Sequence, residues 1–347
     1  MRVTFAEIAT ARPMGQQAYE RAIQEALAAV ADPELAMVRL RVTSMRNPVP
    51  AERRVPWRLL QRMPVSCAAA VGAYAYRGGG LVHRLDLRLP PAAGPEVVTA
   101  HDLPGLRFPD EGAVPAFLAA GTRRARAIIV PSRFAGQELV ELLGVDPARL
   151  HVIPYGLNPV YSRPPAEPTQ ATLRGLTGRT VVHAAGATQR KNLASLAQAW
   201  REVTVKDDTV ELLLCGPEDV RRTSLFAGLP RVRLLGRLSP GDVGWLMHRA
   251  AAVVVPSTYE GFGLPALEGM ASGTPVVASA RGALPEVCAD AALLVEPDAD
   301  SLAAGLLQVL GDRLVAQDLR RRGLQRSADF SWHEAALRHL DVYRACS

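Results

Sequence analysis

The chain has 347 residues and a net charge of +6, with 48% hydrophobic and 21% charged residues. This length exceeds that of a typical single hydrophobic core, so we expect two domains, and the composition excludes an intrinsically disordered chain. Aromatic residues make up only 5%, which argues against binding of single-stranded nucleic acid by stacking.

The N-terminal half alternates short apolar strands with amphipathic helices. Helices are predicted at residues 15–31 and in SRFAGQELVELLG, and strands in MRVTFAEIA, AMVRLRVTS, GGLVHRL, EVVTAHDLP, RAIIVPS and RLHVIP. A Pro-rich change of composition near residues 157–170 then predicts a linker between domains.

The C-terminal half repeats this alternation with more contrast. Strands are predicted in RTVVHAAGA, TVELLLCGPED, RVRLLG, AAVVVPS, TPVVAS and AALLVE, with helices in RKNLASLAQAWREV, SPGDVGWLMHRA, LPALEGMASG, LPEVC and DSLAAGLLQVLGD. Such alternation predicts the α/β class, with two Rossmann-like domains on either side of a cleft. We expect the domains at residues 1–162 and 163–328, followed by a terminal segment at 329–347.

The cysteines and the apolar runs bear on the cellular compartment. The four cysteines lie far apart and lack metal-ligand spacing, so we expect buried thiols in a reducing cytoplasm, with no disulfide framework and no metal site. The N-terminal apolar run is too short for a signal peptide, and no run approaches the roughly 18 residues of a membrane span. The basic charge, clustered in segments such as GTRRARAIIVPSRF, favours a basic cleft or face and is compatible with peripheral contact at the inner membrane face.

The stretch PSTYEGFGLPALEGM, at residues 256–270, follows a predicted strand and begins a predicted helix at 264–272. In open parallel sheets, ligands bind at the carboxyl ends of strands, where helix N-termini favour anions. Gly261 and Gly263 allow the backbone to approach a ligand closely. Glu260 would repel a bare phosphate and suits hydroxyl groups, and Glu268 could accept both hydroxyls of a ribose. A nucleotide-sugar offers all these groups, although a solvated loop acid and a helix-surface acid explain the two glutamates equally well.

The same stretch, continued to PSTYEGFGLPALEGMASGTPVVASARGALPEV, resembles the family 4 retaining glycosyltransferases of the GT-B architecture, also called glycosyl transferases group 1. In that family two glutamates separated by seven residues flank Gly-Phe-Gly-Leu-Pro, as Glu260 and Glu268 do here. GATQRKNLASLAQAW, HVIPYGLNPVY, VVTAHDLPGLRFP and IIVPSRFAGQEL are similar to further family segments, particularly those of mannosyltransferase-like members. FSWHEAALRHLDVYRA resembles the terminal helix that returns to the N-terminal domain.

The resemblance implies a role for each matching residue. Glu260 would contact hydroxyls of the donor sugar, Glu268 the ribose, and Arg190 and Lys191 the diphosphate leaving group. His101 would lie near the reacting anomeric carbon. The remaining implied positions line the donor or the acceptor and phosphate loop: Gly186, Gly261, Phe262, Gly263 and Leu264 for the donor, and Gly15 and Asp102 for the loop.

The implied chemistry is retention of the anomeric configuration, with the departing phosphate taking the proton of the acceptor. Positive groups aimed at the developing anion are a strong catalytic device. The resemblance also implies work without an essential metal and without a cofactor beyond the nucleotide-sugar co-substrate.

Two departures from the family pattern concern phosphate binding. The N-terminal loop of the family is often rich in glycine, whereas ATARPMGQQAYE offers only Gly15. Some members carry a second basic residue after the glycine equivalent to Gly186, where this chain has Ala187.

Other functions explain fewer of these features. An NAD-dependent oxidoreductase requires Gly-x-Gly-x-x-Gly after the first strand, which TARPMGQQ lacks. A nucleotide-sugar epimerase or a phosphorylase can share the architecture without predicting the spacing of the two glutamates. A non-catalytic basic surface that binds nucleic acid or an anionic glycan explains only the charge, so nucleic acid is not an expected partner. The donor is expected to resemble GDP-mannose or a UDP-sugar, and the acceptor to be a glycan, a lipid-linked glycan or a small molecule.

Overall fold

A computed structural model describes residues 1–11, 15–30, 32–163, 167–176 and 178–347. Residues 12–14 of the loop that precedes Gly15 lie outside this described part, as do residues 164–166 of the expected linker.

The chain forms two compact units, one of residues Met1–Gly156 and Ser331–Ser347 and the other of Leu157–Phe330. The sequence placed the same two divisions at 162 and 328. The turn Pro159–Tyr161 belongs to the second unit because Tyr161 is buried there. Its backbone carbonyl accepts hydrogen bonds from His248 Nε2 at 2.8 Å and from Ser272 Oγ at 3.2 Å.

The first unit is built on a parallel sheet with the strand order β3-β2-β1-β4-β5-β6-β7. Its strands are β1 (Arg2–Ile8), β2 (Ala36–Ser44), β3 (Arg53–Val55), β4 (Leu81–Arg84), β5 (Glu96–Thr99), β6 (Ala127–Val130) and β7 (Leu150–Val152). The helices that follow them in the chain are α1 (Gly15–Val30), α2 (Trp57–Leu60), α3 (Val65–Ala75), α4 (Leu118–Arg123) and α5 (Arg133–Leu143).

The second unit has a parallel sheet with the order β10-β9-β8-β11-β12-β13. Its strands are β8 (Arg179–Ala184), β9 (Val210–Cys215), β10 (Val232–Gly236), β11 (Ala252–Val255), β12 (Val276–Ser279) and β13 (Leu293–Val295). Its helices are α6 (Ala171–Arg174), α7 (Leu193–Lys206), α8 (Val220–Phe226), α9 (Pro240–Arg249), α10 (Leu264–Ala271), α11 (Leu284–Cys288), α12 (Ala299–Gly311) and α13 (Arg313–Ser327).

The last helix, α14 (Trp332–Cys346), belongs to the first unit and packs against α1. Tyr19, Ile23 and Leu27 of α1 recur every four residues and are all buried, so one face of α1 is apolar. Ser331 caps α14 by accepting a hydrogen bond from the backbone of Glu334 at 3.4 Å. The predicted return of the terminal helix to the N-terminal domain is therefore confirmed.

The strand order of each sheet reverses at one place. In the first unit the chain leaves β1 toward β2 and β3 and then returns to β4 on the other side, so β1 and β4 flank the reversal. In the second unit β8 and β11 flank it in the same way. In open α/β sheets, ligands bind outside the carboxyl ends of the strands at such a point.

The predicted strands are present with small shifts, and the predicted fold class of two Rossmann-like α/β units is confirmed. The sequence missed the short elements β3, α2, α4, α6 and α8, each of at most seven residues, and the longer helices α3 and α13. Helix α3 is almost uniformly apolar and α13 is rich in arginine, so neither shows the alternation that marks an amphipathic helix. The expectation of buried thiols is correct for Cys215, Cys288 and Cys346 and wrong for Cys67, which faces solvent on α3. Across the described ranges, no helix combines the length and the apolar character needed to cross a membrane.

Candidate donor site

Glu260 and the two cations singled out in the sequence, Arg190 and Lys191, meet where the strand order of the second unit reverses. Arg190 and Lys191 lie in a short turn that follows β8, and Glu260 lies in the loop that follows β11. Because β8 and β11 are neighbouring parallel strands, their carboxyl ends bring these loops together.

Glu260 is the centre of the cluster and is almost fully buried. Lys191 Nζ donates to its Oε1 atom at 2.6 Å, and Arg190 Nη1 lies 3.2 Å from its Oε2 atom. The hydroxyl of Ser257 donates to Oε1 at 2.8 Å. One carboxylate thus accepts hydrogen bonds from two cations and a hydroxyl.

The electrostatics of the cluster favour an ionised carboxylate. Burial alone would raise the pKa of Glu260, but the positive charges of Lys191 and Arg190, together with the hydrogen bonds from Lys191 and Ser257, hold that pKa below its usual value. Glu260 is therefore a carboxylate at neutral pH, and both cations are charge-paired.

Backbone contacts fix the two loops against each other. The amide of Thr258 donates to the carbonyl of Arg190 at 2.8 Å. Asn192, which adopts the left-handed conformation with φ 53°, donates from its side chain to the carbonyls of Pro256 at 3.0 Å and Pro297 at 2.6 Å. The cluster is consequently held on a rigid frame.

Gly282 supports Glu260 from the loop after β12. Its φ is +61°, and a Cβ added there would lie 2.8 Å from both the backbone nitrogen and the backbone oxygen of Glu260. The amide of the next residue, Ala283, donates to the carbonyl of Glu260 at 3.0 Å. Only glycine allows this close approach.

The segment from Gly261 to Leu264 leads from Glu260 into α10. Gly263 takes a positive φ of 102° at the N-cap, and Pro265 occupies the first turn. Phe262 is buried and makes an edge contact with Phe330, with ring centroids 5.7 Å apart. The helix thereby begins beside Glu260, with the positive end of its dipole at the loop.

Glu268 lies one turn into α10 and has a partner of its own. Its carboxylate is half-buried and accepts a hydrogen bond from the hydroxyl of Tyr161. Burial raises the pKa of Glu268 to about 7, and the hydrogen bond from Tyr161 opposes the rise. The two glutamates of the motif therefore have separate partners and different charge states near neutral pH.

Gly186 and Ala187 follow β8 on the way to Arg190. A Cβ added to Gly186 would meet no heavy atom within 4 Å, so the backbone there borders open space. Ala187 is buried in the hydrophobic core beside α7 and carries no charge to this loop.

His101 lies in the first unit, just past β5, and both of its ring nitrogens have partners. Nε2 is 3.1 Å from the carbonyl of Leu85, and Nδ1 is 2.5 Å from the hydroxyl of Tyr155. A carbonyl only accepts, so Nε2 carries the proton and Nδ1 accepts from Tyr155. Burial lowers the pKa of His101 to about 4, and the ring is neutral at physiological pH.

Gly15 is the first residue of α1, beside the reversal between β1 and β4. The next residue, Gln16, donates through Nε2 to Asp86 at 2.9 Å and to Glu20 at 3.0 Å. Burial raises the pKa of Glu20 to about 8, so its carboxyl group is largely protonated at neutral pH. Asp102 follows His101 and is half-buried.

The structure brings together Glu260, Arg190 and Lys191, three residues that the sequence singled out, and it adds residues that the sequence did not single out. Ser257 donates a hydrogen bond to Glu260, and Tyr161 to Glu268. Gln16, the residue after Gly15, donates to Asp86. The Pro-Ser-Thr segment before Glu260 was a usable signal for Ser257, because it follows a buried strand directly. Tyr161 gave no such signal, because it lies more than a hundred residues from its partner in sequence.

Two family models match the chain. The model described as Glycosyltransferase Family 4 matches residues 18–161, and the one described as Glycosyl transferases group 1 matches residues 178–312. Together they span most of both units.

Curated relatives include the O-antigen chain mannosyltransferase B of Escherichia coli, 30% identical over 63% of this chain and 61% of the relative. The MMP alpha-(1->4)-mannosyltransferase of Mycolicibacterium hassiacum is 31% identical over 64% of this chain and 54% of the relative. The aligned region thus spans little more than half of the length of these relatives.

Solved structures extend the likeness to nearly the whole chain. Sucrose-phosphate synthase from Thermosynechococcus elongatus matches with a TM-score of 0.77 and 25% identity, over 99% of this chain and 98% of the other. Anabaena Alr3699/HepE, solved in complex with UDP and glucose, matches with a TM-score of 0.73 and 17% identity over 99% and 100% of the two chains. With two Rossmann-like units, the fold is that of the GT-B glycosyltransferases. The chain belongs to the glycosyltransferases of group 1 and family 4.

Proposed function

We propose that the protein transfers a sugar from a nucleoside-diphosphate sugar to a hydroxyl of an acceptor, with retention of the anomeric configuration and without a metal ion. The observation that carries this proposal is the cluster of Glu260, Lys191 and Arg190 at the strand-order reversal of the second unit. Two fixed cations suit a diphosphate, and a buried ionised carboxylate suits sugar hydroxyls.

In this proposal Lys191 and Arg190 bind the diphosphate, and the amides of Gly261 to Leu264 face the sugar and diphosphate. Glu260 accepts hydrogen bonds from hydroxyls of the sugar, and Glu268 from those of the ribose. The backbone beside Gly186 leaves space for the donor.

The reaction breaks the bond between the anomeric carbon and the diphosphate oxygen. The acceptor oxygen attacks from the face that the diphosphate leaves and forms the new bond, and its proton passes to the departing phosphate oxygen. Negative charge grows on the diphosphate as the old bond lengthens, so Lys191 and Arg190 stabilise the transition state in the way that a metal ion does in other enzymes.

His101 is proposed to lie near the anomeric carbon, and Asp102 and Gly15 on the acceptor side. A neutral imidazole with both nitrogens hydrogen-bonded is poorly suited to exchange protons. We therefore assign His101 a contact with the sugar rather than the role of a general base.

The donor is proposed to be GDP-mannose or a closely related sugar nucleotide, with a UDP-sugar as the alternative. Two of the relatives named above are mannosyltransferases, which favours the first, and a structural neighbour holds UDP, which favours the second. The acceptor is proposed to be a glycan, a lipid-linked glycan or a small molecule.

The protein is also proposed to act in the cytoplasm in peripheral contact with an anionic membrane surface. Residues 45–80 contain six arginines and one glutamate, in a chain whose net charge is +6. The same segment exposes Met45, Leu59 and Tyr74 by more than half of their surface. Basic and apolar side chains together favour anionic lipid. Sedimentation with vesicles of phosphatidylglycerol, but not of phosphatidylcholine, tests this contact, and equal binding to both would contradict it.

The sugar-transfer proposal is tested by thermal unfolding with GDP, UDP, ADP and dTDP in the absence of metal. A ligand at a hundred times its dissociation constant adds roughly 2.7 kcal/mol to the free energy of unfolding. The nucleotide that stabilises the protein identifies the sugar donor for a transfer assay, in which NMR reads the anomeric configuration of the product. Stabilisation by none of the four would overturn the proposal.

A further inference from the structure

Arg222 is a buried cation near the carboxyl ends of β8 and β9. It lies in the first turn of α8 and is 3% exposed. Its guanidinium donates to the carbonyls of Pro217 at 3.0 Å and Ala185 at 2.5 Å. Among the residues that the structure describes, Arg222 forms no ion pair, and its Nε atom has no hydrogen-bond partner.

An unpaired cation in this place is unfavourable for the protein alone. Burial lowers the pKa of Arg222, although an arginine retains its proton. The acid nearest in sequence, Asp219, uses its carboxylate to cap α8 by accepting from the backbone of Arg222 at 3.2 Å. Buried charges are normally paired, so a counter-charge from a ligand is the expected complement.

The guanidinium of Arg222 lies beside the loop that begins at Gly186, at the candidate donor site. Ala185 immediately precedes Gly186, and Pro217 follows the end of β9. A Cβ added to Gly216 would lie 2.8 Å from an Arg222 nitrogen, so the guanidinium packs directly on the loop backbone. Arg222 therefore belongs to the same edge of the sheet as the Arg190 and Lys191 turn.

Within the described part of the chain, a second buried group next to this edge also has an atom without a hydrogen-bond partner. His183 of β8 is 1% exposed, and its Nδ1 atom lies 3.1 Å from the carbonyl of Val254. Nδ1 must donate there, which leaves Nε2 as an acceptor, and Nε2 has no hydrogen-bond partner among the residues that the structure describes. The charges of Arg222, Lys191 and Glu260 all act on this ring. The donor Arg222 Nε and the acceptor His183 Nε2 thus both lack a partner among the described residues, and the charge of Arg222 acts on the His183 ring.

We propose that Arg222 is the third cation of the donor site and that it stabilises the diphosphate from beneath the Gly186 loop. The inference rests on the proposed function. Arg190, Lys191 and Arg222 carry three positive charges and Glu260 one negative charge, so the site has a net charge of plus two. This charge balances the two negative charges of a nucleoside-diphosphate sugar, which carries one on each phosphate. Arg222 also supplies the charge that Ala187 does not.

Three variants test this role. Arg222→Met removes the charge and keeps most of the side-chain volume, whereas Arg222→Lys keeps the charge and loses the forked contact with two carbonyls. Arg221→Met, at the exposed neighbouring position of α8, is the matched control. Calorimetry measures the affinity of each variant for GDP and UDP and for GMP and UMP, and thermal unfolding reports the fold.

We expect Arg222→Met to weaken binding of the preferred nucleoside diphosphate by roughly tenfold or more. The loss for the corresponding monophosphate should be smaller, and Arg222→Lys should retain most of the affinity. Arg221→Met should bind as the unchanged protein does.

Two results overturn the inference without touching the proposed function: unchanged diphosphate affinity in folded Arg222→Met, or Arg222→Lys binding the nucleoside diphosphate much more weakly than the unchanged protein. The second result would assign Arg222 to the loop structure alone, and it remains informative if Arg222→Met does not fold. Failure of the unchanged protein to bind any of GDP, UDP, ADP and dTDP would instead overturn the proposed function.

Discussion

Lys191 Nζ lies 2.6 Å from Glu260 Oε1, although the two residues are 69 positions apart in the chain. In the proposed reaction the same ammonium binds the diphosphate and the same carboxylate binds sugar hydroxyls. A diphosphate and Glu260 therefore compete for Lys191 and Arg190. A complete donor can offer both partners at once, because its sugar hydroxyls replace the cations at Glu260.

This competition predicts opposite effects of Glu260→Gln on binding and on transfer. Loss of the carboxylate should lower the rate of sugar transfer by roughly a hundredfold to a thousandfold. The affinity for a nucleoside diphosphate without sugar should stay the same or rise, because both cations lose their competitor. Calorimetry with GDP and UDP and a transfer assay measure the two effects.

The matched control is Glu296→Gln, which breaks a half-exposed ion pair with Arg281 in the same unit. Exposed pairs of this kind contribute only about 0–1 kcal/mol, so this variant should leave binding and transfer unchanged. A fall in diphosphate affinity in Glu260→Gln would contradict the competition.

Glu268 predicts a dependence of donor binding on pH. Its pKa is about 7, and the ionised form is the better acceptor for ribose hydroxyls. The affinity for GDP-mannose or UDP-glucose should therefore rise between pH 6 and 8, a range in which these donors do not themselves titrate. In Glu268→Gln the affinity should be lower and nearly independent of pH, as calorimetry at several pH values can show.

Tyr161→Phe provides a second check on the same group. The hydroxyl of Tyr161 lowers the pKa of Glu268, so its removal should move the rise in affinity to higher pH. If the pH dependence of donor affinity is unchanged in Tyr161→Phe, Glu268 is not the group whose ionisation controls donor binding.

Gly282→Ala should damage transfer without a change in any charged group. The new Cβ would press against the backbone of Glu260 in a conformation that already favours glycine. We expect the displaced carboxylate to reduce the rate of transfer by at least tenfold and the strain to lower the melting temperature. Gly311→Ala, where an added Cβ meets nothing within 4 Å, is the control, and equal activity of the two variants would refute the steric argument.

A directed chain of hydrogen bonds joins α14 to the first sheet. His339 Nδ1 donates to the carbonyl of Ala335 at 2.7 Å, so its Nε2 accepts from the hydroxyl of Tyr19 at 3.0 Å. The Tyr19 oxygen then accepts from Thr99 at 3.2 Å. The chain ends with His83, which donates to Thr99 and accepts from Tyr343 at 2.7 Å. Each step requires a neutral imidazole.

The chain predicts acid sensitivity of the first unit. Burial lowers the pKa of His339 from 6.5 to about 4. Between these pH values His339 is protonated in the unfolded protein and neutral in the folded protein. The contribution of neutral His339 to the free energy of unfolding should therefore be fully present above about pH 6.5. It should fall by roughly 3 kcal/mol as the pH is lowered toward 4.

Urea unfolding at several pH values measures this effect. His339→Gln should be less stable at pH 7.5 and should lose less stability on acidification than the unchanged protein. His333→Gln, at an exposed position of the same helix, should keep the original dependence. An equal dependence in both variants would exclude His339 as the cause.

The sequence by itself determined the alternation of strands and helices, the two-domain α/β class and the spacing of Glu260 and Glu268 around the start of α10. These features are local, because the hydrophobic period and the Gly-Pro signals around α10 lie within a few residues of one another. Arg190 and Lys191 were marked by the resemblance of GATQRKNLASLAQAW to a segment of the family, and they lie between β8 and α7.

Only the tertiary structure decided which groups are partners. Parallel strands bring loops from distant parts of the chain to one edge, so no local pattern reveals that Lys191 pairs with Glu260, that Tyr161 binds Glu268 or that α14 packs on α1. Arg221 and Arg222 are adjacent arginines that the sequence does not distinguish, whereas in the structure Arg221 is exposed and Arg222 is buried. Charge state and pKa follow from that burial, because the cost of an ionised group depends on how much water the fold removes from it.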